Sequence, residues 1–195
     1  MRNQLRTTEL AHRADDFVCH FYEAHQLSIQ AEGSQVLAVV AALTGREDFL
    51  IRTMITLREF PGRVMRRLGV GAGREGPPFG LADFVPLGGD ERTWCAFGLI
   101  GRFWQRDYGL VPVASSEAFY QYMETGVPKL IMGFHVHADA QGRVVLTTET
   151  GIHCPDPDSL RRMSTYWFLI RPASGWIRRR LLRQIKMRAE ARNAS

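Results

Sequence analysis

YWFLIRPASGWIRRRLLRQIK, residues 166 to 186, is the stretch on which the reading of this chain turns. It opens apolar and aromatic, meets Pro172, and becomes a run of arginines. A membrane anchor, a nucleic-acid arm and a helix packed inside a domain are the three readings. Its unbroken apolar run, Tyr166 to Ile170, is far short of the ~20 residues that cross a bilayer. Working outward, Leu160, Met163, Trp167, Ile170, Ile177, Leu181 and Ile185 fall at steps of 3, 4, 3, 7, 4 and 4. That is the spacing of one helical face. The place missing from the step of seven is Ser174, a small residue. The stripe keeps its phase across Pro172, so the pattern predicts one C-terminal helix of about thirty residues rather than two unrelated ones. Pro172 cannot bond the carbonyl of Phe168, which predicts a kink or a broken turn there. Arg178, Arg179, Arg180 and Arg183 are expected mostly off the apolar stripe. Upstream, Asp156 or Asp158 is placed to cap the helix, with Pro157 in its first turn.

The segments before this helix alternate. In FVCHFYEAHQLSIQ (17 to 30), Phe17, Cys19, Phe21, Leu27 and Ile29 share one side, with Glu23 and His25 as the exceptions. Two helices are expected next: one after Ser34 on Val36, Val39, Val40 and Leu43, and one from about Glu47 to Gly69. GVGAGREGPPFG (69 to 80) is a loop by composition. Its glycines follow an arginine-bearing helix and lead into Pro-Pro, so the context of a nucleotide fingerprint is missing and a mobile flap is the expected use. LADFVPL and RTWCAFGLIGRFW read as strands around a Gly-Gly-Asp turn. YGLVPVASSEAFYQYM reads as short extended pieces with Phe119, Tyr120 and Tyr122 packing. PKLIMGFHVHA and RVVLTTETGIHC, joined by DAQG, form an antiparallel pair. Leu130, Met132, Phe134 and Val136 lie on one side of it, with Lys129, His135 and His137 on the other.

The chain of 195 residues has 45% hydrophobic and 23% charged residues, as a soluble globular domain does. Its N-terminus, MRNQLRTTELAHRADD, lacks the apolar core of a secretory signal. Cys19, Cys95 and Cys154 have no ligand spacing, so buried free thiols in a reducing cytoplasm are expected. Residues 161 to 195 carry a net charge of +9 and residues 1 to 160 a net of −4. A helix with one solvated face accounts for that bias. Nucleic-acid binding would add stacking aromatics or a recognised module, and is not assigned.

The order strand, two helices, antiparallel strands and long closing helix resembles the SRPBCC superfamily, the helix-grip proteins that include START lipid-transfer domains, the birch-pollen allergen and polyketide cyclases. The phrases GLIGRFW (98 to 104) and TTETGIHCPDPDSLRRMSTYWFLIRPASGWIRRRLL carry the resemblance, over about residues 17 to 190. It implies an α+β, START-like domain over residues 16 to 195 after an extension of residues 1 to 15. In such a domain a curved antiparallel sheet of about seven strands wraps the C-terminal helix, with two short helices after the first strand. It implies binding, without a cofactor, of a hydrophobic small molecule or lipid in a cavity between sheet and helix, with transport as one use of that binding. Phe97, Leu99, Phe103, Met132, Phe134, Thr148, Thr150, Trp167 and Ile170 are the expected lining. The alternative is a cyclase/dehydratase-type enzyme in the same cavity, for which Glu23, Asp83, Asp107, Tyr108 and Glu117 are candidate acids without an assigned catalytic role. His135 and His137 form H-x-H with Glu149 as a diagonal neighbour; all three are expected toward solvent, and no metal is assigned. The basic helix suits peripheral contact with an anionic membrane.

Overall fold

The computed structural model describes residues 18–44, 84–90, 92–105 and 107–193. The alternating stretches become five strands: β1 (Phe21–Ile29), β2 (Val85–Gly89), β3 (Trp94–Ile100), β4 (Lys129–Ala138) and β5 (Val144–His153). Three helices accompany them: α1 (Gly33–Thr44), α2 (Ser116–Gln121) and α3 (Pro157–Asn193). The sheet has the order β1-β5-β4-β3-β2, and every neighbouring pair is antiparallel. The fold is therefore α+β, with five described strands rather than about seven. The extension of residues 1 to 15, the second helix expected after β1, the glycine loop and Asp83 lie outside the described residues.

Turn chemistry sets the register. Between β4 and β5, Asp139 Oδ1 accepts from the backbone N–H groups of Gln141 and Arg143, both at 2.9 Å. Gly142 supplies the left-handed backbone that this tight turn needs, at φ +74°. His135 consequently pairs with Thr147 and Gly133 with Glu149. Asp90 does the same between β2 and β3, accepting from the backbone of Arg92, Thr93 and Trp94.

The two sheet faces carry different cores. On one, Leu99, Met132, Phe134, Leu146 and Ile152 pack against Val36, Val39 and Val40 of α1 and against Met163, Leu181, Leu182 and Ile185 of α3. On the other, Val85, Leu87, Ala96, Ile100 and Ile131 close around Phe119 of α2. The segment expected as short extended pieces thus contains a helix. Ser115 caps it by accepting from the Ala118 N–H, and buried Lys129 donates to the carbonyls of Phe119 and Tyr120 at its far end. A six-residue helix gives too little periodicity to be told from a loop by pattern.

α3 runs 37 residues without interruption through Pro172, longer than expected and with no broken turn. Asp156 is its N-cap: Oδ1 accepts from the Ser159 N–H at 2.9 Å while Ser159 Oγ receives the Asp156 N–H. Oδ2 also accepts from Gly126 at 2.7 Å, tying the helix start to the loop before β4. Met163, Ile170, Ile177, Leu181 and Ile185 are all buried along the stripe, and Ser174 is buried in the gap between Ile170 and Ile177. None of the described helices is long and apolar enough to cross a membrane.

Candidate functional site

β1 explains why a polar site forms here. Its pairing with β5 puts Phe21, Glu23, His25, Leu27 and Ile29 opposite Ile152, Thr150, Thr148, Leu146 and Val144. Ile152 and Leu146 belong to the face covered by α3. Glu23 and His25, the two exceptions to the alternation, therefore point under the helix. Gly175 of α3 passes directly above them: a Cβ there would lie 3.2 Å from Glu23 Oε1 and 3.6 Å from the His25 ring. A methyl at Gly175 would press on the Glu23 carboxylate and touch the His25 ring, so glycine leaves these two side chains the most room.

The polar cluster is continuous. His25 Nε2 and Glu23 Oε1 lie 2.7 Å apart. A carboxylate only accepts, so Nε2 carries the proton of this bond. Ser174 Oγ donates to Glu23 Oε2 at 3.2 Å, and Arg178 Nε donates to Ser174 Oγ at 3.2 Å. The Arg178 Nε to Glu23 Oε2 separation is 3.9 Å, with side-chain exposures of 13% and 10%, so the pair is an internal one. Burial lowers the Arg178 pKa, and the Glu23 charge opposes that shift. Arg178 was expected mostly off the apolar stripe. The structure turns it inward at the stripe's margin, because Glu23 and Ser174 give its charge a partner beneath the helix.

Beside this cluster lies a cavity of about 60 Å³ between sheet and helix. Leu99, Phe103, Tyr108, Leu130, Met132 and Ile152 line it from the sheet and its loops, and Met163, Tyr166, Trp167 and Ile170 from α3. Thr150, Ser174 and Arg178 form its polar end. Burial, and then the neighbouring Tyr108, push the Tyr166 phenol well above its usual value. A water needs roughly 10–15 Å³, so the space holds a handful of water-sized groups.

Of the nine expected lining residues, Leu99, Phe103, Met132, Thr150, Trp167 and Ile170 line this cavity. Phe97, Phe134 and Thr148 lie on the same face but pack into the core beside it rather than line it. Phe134 and Thr148 are 1% and 0% exposed. Arg178 and Ser174 were missing from the expected lining; the signal for Ser174 was its place in the apolar stripe. Of the candidate acids, Glu23 joins the cluster and Tyr108 lines the cavity, whereas Asp107 and Glu117 are exposed.

The outer face holds a second group. Tyr22 Oη donates to Glu149 Oε1 at 2.8 Å, and His135 Nε2 stands 3.6 Å from the same oxygen. Glu149 was expected toward solvent and is instead 4% exposed. Tyr22, on the neighbouring strand, closes over it in a way that β4–β5 pairing alone does not reveal. His135 is half-buried and His137 exposed, their rings stacked 5.5 Å apart. Among the described residues no group of three His, Cys, Asp or Glu could hold a metal.

No protein-family model matches the chain, and a search of curated proteins finds no relative.

Proposed function

We propose that this chain is a helix-grip-type protein that binds a hydrophobic small molecule or lipid, without a cofactor, in the cavity between its sheet and α3. The observation that carries the reading is a mainly apolar cavity, with a few polar groups in its lining, between the elements that the SRPBCC resemblance assigns to ligand binding. A lipid chain needs more room than a space of about 60 Å³ offers, so its binding requires the lining to move apart. Native mass spectrometry of freshly purified protein should reveal a co-purified small molecule. Protein that carries none, and that leaves an apolar fluorescent probe unbound, would contradict the proposal.

One observation favours a second reading, a cyclase/dehydratase-type enzyme. His25 hydrogen-bonded to Glu23 is a general-base arrangement, and the cluster it belongs to reaches the cavity wall through Ser174 and Arg178. Glu23→Gln would abolish turnover under this reading while leaving probe binding within a few-fold.

Peripheral contact with an anionic membrane is part of the proposal. The outer side of α3 exposes Phe168 (81%), Leu169 (57%) and Trp176 (56%). Arg179, Arg180 and Arg183 are exposed alongside them, with Arg180 5.6 Å from the Trp176 ring. Exposed apolar side chains among arginines suit the lipid headgroup boundary. The proposal includes a cytoplasmic setting, in which free thiols such as Cys19, Cys95 and Cys154 are at home.

A further inference from the structure

We infer that the occupant of the cavity carries an uncharged oxygen acceptor, a carbonyl or hydroxyl oxygen, received by Arg178 Nη1 and Thr150 Oγ1. This rests on the binding reading above and specifies the chemistry of its ligand.

The polar atoms at that end of the cavity sort into the used and the unused. Both carboxylate oxygens of Glu23 are engaged, one with His25 and the other with Ser174. Ser174 Oγ gives its proton to Glu23 and takes one from Arg178 Nε. Arg178 Nη1 and Thr150 Oγ1 remain, both buried and both without a hydrogen-bond partner, on residues that line the cavity. Nη1 bears two N–H groups and no lone pair, so what is missing opposite it is an acceptor. Leaving such a donor buried and unpaired is costly, and an acceptor on an occupant of the cavity would relieve that cost.

Charge then narrows the class. Glu23 already balances Arg178 across 3.9 Å. A carboxylate or phosphate would bring an uncompensated negative charge into an apolar chamber, close to the Glu23 carboxylate, and the desolvation it needs is not repaid. An ammonium would present donors to a guanidinium. A hydrocarbon would leave Nη1 and Oγ1 as they are. A neutral oxygen can take one hydrogen bond from Nη1 and one from Thr150, while the ligand's apolar body meets Leu99, Met132 and Ile170.

The test is a shape-matched series of small rings: cyclopentanone, cyclopentanol, cyclopentylamine, cyclopentanecarboxylate and methylcyclopentane, titrated into the full chain with NMR readout. Hydrogen bonds to a charged donor predict that the ketone and alcohol bind about tenfold more tightly than the other three. Arg178→Met should erase that preference while methylcyclopentane binding persists. Should Arg178→Met fail to fold, Thr150→Val, which keeps the shape and removes the hydroxyl, should lower the preference several-fold. Equal affinity for ketone and hydrocarbon overturns the inference and leaves the binding reading standing. So does tighter binding of the carboxylate, or a preference unchanged in the variants. Binding of none of the five overturns the cavity reading together with the inference.

Discussion

If Glu23 and Arg178 form a coupled internal pair, removing either one should cost far more than removing both would suggest. Their closest charged atoms are 3.9 Å apart and their side chains only 10% and 13% exposed. At an effective dielectric near 20, that separation gives an attraction of about 4 kcal/mol. Glu23→Gln keeps the shape but strands the guanidinium under α3; Arg178→Met strands the carboxylate under the same helix. Breaking an internal pair from one side costs about 3–5 kcal/mol, and the lower end applies here because Ser174, not a direct hydrogen bond, joins the two charges. Each single variant should therefore lose about 3 kcal/mol, a fall in Tm of roughly 6–12 °C for a chain of this size. The double variant leaves no stranded charge and should lose no more than either single, at most about 3 kcal/mol rather than 6, a coupling of about 3 kcal/mol or more. Urea unfolding followed by circular dichroism on all four proteins gives the cycle. Additivity within about 0.5 kcal/mol would refute the pairing and the idea that α3 is pinned over β1 by charge.

Three further outcomes are expected. Asp156→Ala should cost about 1 kcal/mol by uncapping α3, measured by urea unfolding. Hydrogen bonds from Ser159 first, and also from Gly126, hold the Asp156 carboxyl below its ordinary value of 3.8. Its contribution is therefore complete above that pH and lost as pH falls through the depressed value, so Asp156→Asn should look progressively less destabilised in acid. Gly98→Ala would set a Cβ 2.7 Å from the fully buried ring of Phe119; with no room for that ring to retreat, a loss of about 1–3 kcal/mol should appear in thermal melts. Sedimentation with phosphatidylserine vesicles should carry the protein down at low salt and release it at high salt, and Phe168→Ala with Trp176→Ala should weaken it several-fold; equal binding to neutral vesicles would rule out the arginines' part.

The fold was legible where one periodicity ran long. α3 declared itself through a stripe that survives a proline, because i, i+3 and i+4 positions must share a face for the helix to be buried at all. The β4–β5 register followed from a short turn and from the period of two. α2 was illegible because six residues make less than two helical turns and its cap, Ser115, sits among other turn formers. Glu149 was misjudged for a different reason: its burial depends on Tyr22 from β1, and the pairing of β1 with β5 joins residues 127 apart in sequence. The sequence offers no local sign of such a contact.

The site was half legible, and the half that showed was written as two faults. Alternation along β1 fails at Glu23 and His25, and the apolar stripe of α3 fails at Ser174. Each fault taken alone reads as noise: a strand with two polar positions on its greasy side, or a helix with one small residue in its seam. Each would also be destabilising alone, since a charged carboxylate facing an intact Leu or Ile stripe has nothing to bond. Packed together they satisfy one another, because the small side chain of Ser174 and the absent one of Gly175 leave room for Glu23 and His25, and the serine hydroxyl bridges Glu23 to Arg178. A strand whose core face carries an acid and a histidine therefore calls for a gap in whichever helix covers it. Pairing the break in one periodic element with the break in another locates an internal polar site before any coordinates exist. What that pairing could not supply was Arg178, which belongs by sequence to a run of arginines and is separated from them only by a fraction of a turn.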